Sequence, residues 1–351
     1  MIQPVTELTH SPADLTQVAF DPELSPGAHN AVYTCLRIEP REKVTLITDL
    51  DCRDIAASIA HELVELGSPF KSFVMEDLAP RPLTHLPAEI AEDMETSDVS
   101  IFAVRAQRNE LKSRMEMTDI VNRRRMRHAH LVNINRQIMR EGMRADYNQV
   151  EALSRKVMDI ASQAKEIRAT NPAGSDFTAK LNPTYRWVKT SGIISRDKWG
   201  NLPGGETFTT PGEVNGVCVV DGVVGDYLCE KYQDLARQPL TIRIEKNRIA
   251  EVASDNKELE QEFWAYTHTD ENSDAVGEFA IGTNIELDHV IGQILQDEKF
   301  PGVHIAFGNP YGAHTGADWY SSTHIDVVGT HFDIWVDGRQ IMEKGRFLIE
   351  A

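Results

Sequence analysis

The spacing of apolar and polar positions divides the chain into two textures. In the first half, "KVTLITD" (43–49) is a short β-branched run that ends in aspartate. "DIAASIAHELVELG" (54–67) follows, with Ile55, Ile59, Leu63 and Leu66 on one helical face and Gly67 as a stop. "PFKSFVMED" (69–77), "SDVSIFAVR" (97–105) and "HAHLVNINR" (128–136) predict three more strands. Strands that alternate with amphipathic helices predict a mostly parallel, doubly wound α/β domain. No G-x-G-x-x-G follows the first strand, which removes the main support for dinucleotide binding. A long helix is expected over 145–167, its buried stripe formed by Val150, Leu153, Val157, Ile160, Ala164 and Ile167.

Near residue 168 the pattern changes. "ATNPAGSDFTAKL" (169–181) is a turn cluster that leads into strand-like text. "GEVNGVCVVDGVVGDY" (212–227) and "PLTIRIEKNRIAEV" (239–252) alternate as antiparallel strands do, with "EKNR" as a hairpin turn. The expected organisation is an α/β domain over 1–167. An α+β domain over 168–351, rich in antiparallel strands, would carry the chemistry.

Composition changes this picture little. The 351 residues are 41% apolar and 26% charged, with no run of eighteen apolar residues, so no membrane span is expected. "MIQPVTELTHSPADLTQ" lacks the basic and apolar regions of a signal peptide. Cys35, Cys52, Cys218 and Cys229 have no C-x-x-C spacing, which argues against a zinc knuckle or disulfide framework and fits a reducing cytoplasm. A net charge of −18 argues against nucleic acid and anionic membrane as partners. The basic stretch "NRRRMRHAH" (122–130) reads as a helix face paired with acidic neighbours or a subunit, or as a clamp for an anionic substrate.

Four polar clusters of the second half exceed what a plain β domain needs. "WGNLPGGETFTTP" (199–211) sets Glu206 just after a Pro-Gly-Gly turn. "GEFAIGTN" (277–284) sets Glu278 beside an apolar run, where a carboxylate needs a partner. "GVHIAFGNPYG" (302–312) sets His304 in a strand-like run and Tyr311 in a turn. "STHIDVVGT" (322–330) sets His324 and Asp326 two apart, on one side of a strand. Alone, each admits an ordinary reading as a wet strand face, a loop glutamate, a paired carboxylate or a core histidine. Together they offer two glutamates, two histidines and an aspartate, a mixed set suited to two divalent cations sharing a carboxylate. Imidazole and carboxylate without thiolate suit zinc, cobalt or manganese.

In order and flanks, "NLPGGETFTTP", "GEFAIGTN", "DEKFPGVHIAFGNPYG" and "SSTHIDVV" resemble the metal-binding blocks of the aminopeptidase T family of dinuclear metalloaminopeptidases. The resemblance is strong over about 165–335 and looser before. It implies Glu206, Glu278, His304, His324 and Asp326 as metal ligands, Glu278 as the bridge, Tyr311 as an active-site tyrosine, a peptide or small-molecule substrate, a support and dimerisation role for 1–167, and a homodimer. His314, Asp318 and His331 lie nearby as surface residues or as supports for the ligands. The gap from His304 to His324 is short compared with the family's peptidases. The sequence is more distantly similar to 2,5-dihydroxypyridine 5,6-dioxygenases, which share a "GSDF" element like that at 174–177. That resemblance implies one iron(II) held by two histidines and an aspartate, with histidine at the position of Glu278 and no counterpart of Glu206 or His304. The expected activity is hydrolysis of an N-terminal peptide bond or related small amide. Iron-dependent ring cleavage of dihydroxypyridine-like aromatics is the alternative.

Overall fold

The computed structural model describes residues 14–225 and 227–349. The stretch read for a signal peptide lies mostly outside them, at residues 1–13. The chain divides into two compact units, residues 1–144 with 193–202, and residues 145–192 with 203–351. The division therefore falls earlier than the expected 167/168, and a short segment of the second half returns to the first unit.

The first unit is built on a parallel sheet in the order Phe70–Val74, Val44–Thr48, Val99–Val104, Arg127–Val132, Gly200–Asn201. Val44–Thr48 and Val99–Val104 are buried throughout, as continuous β-branched and apolar runs in a parallel sheet should be. The helix Arg53–Leu66 buries Ile55, Ile59 and Leu63, and Gly67 ends it at φ 75°, where its N–H reaches back to the carbonyls of Leu63 and Val64. The expected strands over 69–77 and 128–136 end sooner, because Met75–Leu78 and Arg136–Arg140 are helical. The basic stretch is paired with acidic neighbours of its own unit: Arg123 with Glu95, Arg125 with Asp197 and Arg127 with Glu42.

The second unit holds two antiparallel sheets. The larger runs Arg248–Ala253, Leu240–Glu245, Pro211–Val220, Asp176–Leu181, Glu166–Thr170, Asp333–Val336, Arg339–Glu343, Arg346–Phe347. Its first hairpin turns at Lys246 and Asn247, with φ of 50° and 69°, the paired left-handed geometry of a tight two-residue turn. The smaller sheet runs Val223–Val224, His324–Val328, Gly302–Gly308, Val276–Gly282, Glu206–Thr209, Val188–Thr190. The expected helix over 145–167 spans only Tyr147–Ala161, capped by Asp146. Val150, Leu153 and Val157 are buried as expected, whereas Ile167 belongs to strand Glu166–Thr170. Its place in the stripe satisfies a helical period, but pairing with Asp176–Leu181 draws it into the sheet.

The smaller sheet has two unlike faces. Phe279, Ile281, Val303, Ile305, Phe307, Ile325 and Val327 join the unit's main apolar core. Alternation sends their neighbours to the opposite side.

Candidate metal centre

That opposite side carries the candidate ligands. The register pairs Gly282 with Glu206, Ala280 with His304, Ala306 with both Glu278 and Asp326, and Gly308 with His324. Directly paired residues share a face, and so do residues two apart. Glu206, Glu278, His304, His324 and Asp326 thus project from one side of four adjacent strands, with the small residues Ala280, Gly282, Ala306 and Gly308 between them. At Gly282 even a Cβ would meet the Phe300 carbonyl at 1.9 Å. Gly205 enters the first of these strands at φ 130°, against Asn284, which places Glu206 at the strand's very start.

The five donors form two groups, Glu206–Glu278–His304 and Glu278–His324–Asp326, each with its ligand atoms within 4.8 Å of one another. Glu278 belongs to both. His304 Nε2 lies 3.5 Å from Glu206 Oε2 and 3.4 Å from Glu278 Oε1. His324 Nε2 lies 3.7 Å from Glu278 Oε2 and 3.5 Å from Asp326 Oδ1. These separations exceed the usual hydrogen-bond range of about 2.7–3.2 Å. They match the roughly 3.3 Å between two ligands that each stand about 2 Å from a common tetrahedral ion. His304 Nε2 is buried without a hydrogen-bond partner. His324 Nδ1 donates to the Asn309 carbonyl at 2.9 Å, so Nε2 is the ring nitrogen that faces the carboxylates. The residues present therefore fit a divalent cation in both donor chemistry and spacing.

The charges in this cluster hold one another in place. Burial pushes Glu278 above the usual carboxylate range, against the pull of His304 and His324. Burial would also raise Glu206, but the Lys299 ammonium and then His304 bring it below its ordinary value. Asp326 falls to about 2, because His324 outweighs burial. His324 rises to about 10 although burial opposes it, Asp326 being the first cause and Glu278 a further one. His304 is raised against burial by Glu278 and Glu206.

Tyr311 sits at φ 48° in the turn after Gly302–Gly308, with its ring 4.3 Å from that of His324, centroid to centroid. It keeps 41% of its surface open, so it can meet both the His324 ring and an incoming molecule. His314, Asp318 and His331 are exposed. Three residues that sequence reasoning passed over are part of the cluster. Lys299 is fully buried, with Nζ 2.7 Å from Glu206 Oε1 and also paired with Glu298. Thr190 Oγ1 donates to Glu206 Oε1 at 2.7 Å. Glu298 is pushed up to about 7 by burial, with Lys299 opposing and Glu206 and Asp326 adding to the rise. The only local signal for Lys299 and Glu298 was their place in the "DEKFPGVH" block.

The family model of NicX, 2,5-dihydroxypyridine 5,6-dioxygenase, matches residues 141–349. No curated protein matches the sequence. Among solved structures, a 2,5-dihydroxypyridine dioxygenase from Pseudomonas putida KT2440 superposes with a TM-score of 0.68 at 15% identity, covering 97% of this chain and 99% of that one. Wild-type AmpT from Thermus thermophilus superposes with a TM-score of 0.67 at 17% identity, covering 94% and 100%. Both resemblances read from the sequence thus recur in the fold. At these identities the two structures speak to fold alone.

Proposed function

The chain belongs to the 2,5-dihydroxypyridine 5,6-dioxygenase family by its match over residues 141–349, and within that fold we propose that it is a metal-dependent hydrolase of the aminopeptidase T type. Its substrate would be an N-terminal peptide bond or a related small amide. The observation that carries the reading is the shared position of Glu278 between two three-donor groups. Three carboxylates and two imidazoles suit a pair of zinc, cobalt or manganese ions better than a lone iron held by two histidines and one carboxylate.

Divalent cations bound here would lower the pKa of a coordinated water towards about 7 and supply a Lewis acid for the scissile carbonyl. Glu278, Glu206 and His304 would hold one ion, and Glu278, His324 and Asp326 the other. The Asn309 carbonyl fixes the ring and tautomer of His324. Tyr311, packed on that ring and partly open, would stabilise an oxyanion formed from the substrate carbonyl by a hydrogen bond from its phenolic hydroxyl. The second unit would be the catalytic domain and the first a support for dimerisation, in a homodimer.

The family match favours a second reading, iron-dependent cleavage of a dihydroxypyridine-like ring. In that case His324 and Asp326 would remain ligands and Glu206 would be dispensable. One experiment separates the two: elemental analysis per chain, combined with assays on aminoacyl amides and on dihydroxypyridines in an oxygen electrode. Amide cleavage with zinc, cobalt or manganese supports the hydrolase. Oxygen uptake with iron, surviving Glu206→Ala, replaces it with the dioxygenase.

A further inference from the structure

Lys299 is an unusual neighbour for a cation site. It is 1% exposed, and its ammonium is held at Glu206 rather than left to reach solvent. Its backbone is fixed from both sides: its N–H donates to the Gln296 carbonyl at 2.9 Å and its carbonyl accepts from Asn284 N–H at 3.0 Å. Glu206 Oε1 already accepts from Lys299 Nζ and Thr190 Oγ1, each at 2.7 Å, so only Oε2 faces His304. In the other group, the ion-pair contacts of Glu278 and Asp326 are, among the described residues, with histidine rings alone.

We propose that Lys299 makes the two cation positions unequal. The group Glu278–His324–Asp326 takes the first ion tightly. The group Glu206–Glu278–His304 takes a second ion weakly, because a fixed positive charge, shared with Glu298, is already paired with Glu206 and occupies one of its oxygens. The physical reason is direct: a unit charge a few ångströms from a ligand, in a poorly screened interior, opposes a second cation more than any surface charge could. Lys299 touches no metal in this arrangement and acts through Glu206, so it is a positioning residue. The asymmetry would let the second ion come and go with supply or with substrate while the first stays resident.

This inference rests on the metal-centre reading above, and its test needs no substrate. Metal-free protein is titrated calorimetrically with zinc or cobalt, with ion content checked by elemental analysis. The wild type should show one tight ion and a second weaker by about tenfold or more. Lys299→Gln and Lys299→Met should tighten the second ion by on the order of tenfold, with the first little changed. Lys299→Arg, which keeps the charge, should keep the asymmetry. Two ions of equal affinity in the wild type would overturn the proposal whether or not any variant folds. So would an unchanged ratio in folded Lys299→Gln and Lys299→Met. Unequal binding without amide cleavage would leave this inference standing and defeat the hydrolase, while absence of binding at either group would defeat both.

Discussion

His304 Nε2 stands 3.4 Å from Glu278 Oε1 and yet is buried with no hydrogen-bond partner. Leaving such a nitrogen unpaired costs about 1–3 kcal/mol. A cation between the imidazole and the carboxylate satisfies both and removes the cost. The same carboxylate's other oxygen faces His324 at 3.7 Å, so Glu278 ties the two donor groups into one centre.

Glu278→Gln keeps the side chain's shape and removes the charge that both groups share. Metal retained through dialysis should fall for both ions, and activity should drop at least about 100-fold, the upper end of what loss of a mere supporting partner costs. A full metal complement by elemental analysis would refute the shared role.

Tyr311→Phe leaves the ring on His324 and deletes the hydroxyl. Its kcat should fall by about 10²-fold, as for loss of one oxyanion donor, with metal content unchanged. An unaltered kcat would reduce Tyr311 to a packing residue.

Ala306 lies between Glu278 and Asp326 in the register, with no exposed surface. Ala306→Val adds bulk on the polar face, where space is needed, and should cost about 1–3 kcal/mol in stability through overpacking. Far-ultraviolet circular dichroism should stay native while metal affinity weakens. Wild-type affinity would show that the small residues do not set the site's spacing.

The first unit carries its own pH dependence. His128 Nδ1 pairs with Ser100 Oγ at 2.7 Å, and His128 Nε2 lies 3.1 Å from His130 Nδ1. Burial lowers His128 to about 3 and His130 well below the usual histidine value. In the unfolded chain both titrate near 6.5. Between those limits the unfolded state binds protons that the folded state refuses, so stability is full above about pH 6.5 and declines as pH falls towards 3. Each histidine should contribute a loss of roughly 1 kcal/mol per pH unit. Urea unfolding at pH 7 and pH 5.5 should show this drop in the wild type and a smaller one in the double variant His128→Gln, His130→Gln. An identical drop would assign the acid sensitivity elsewhere.

The proposed homodimer is checked by light scattering on the purified chain. A mass near twice 39.4 kDa is expected. A single species at the monomer mass would remove the dimerisation role proposed for the first unit.

Much of the site could be read from alternation alone. "GEFAIG", "VHIAFG" and "HIDVV" each send apolar residues one way and candidate ligands or small residues the other, because a strand's side chains have a period of two. The hairpin at Lys246–Asn247 and the stop at Gly67 were likewise local events, decided by left-handed backbone over a few residues. What sequence could not decide was nonlocal. Strand order and register brought Glu206 to Gly282 and Asp326 to Ala306, contacts that span many intervening residues. Ile167 fitted a helix until pairing with the next strand claimed it. Lys299 was invisible because a lysine is ordinarily a surface residue, and only the enclosing fold, with Glu206 and Glu298 as counter-charges, keeps its ammonium buried. The pattern of faces is thus local chemistry written along the chain, whereas charge neutralisation at the centre depends on which strands meet.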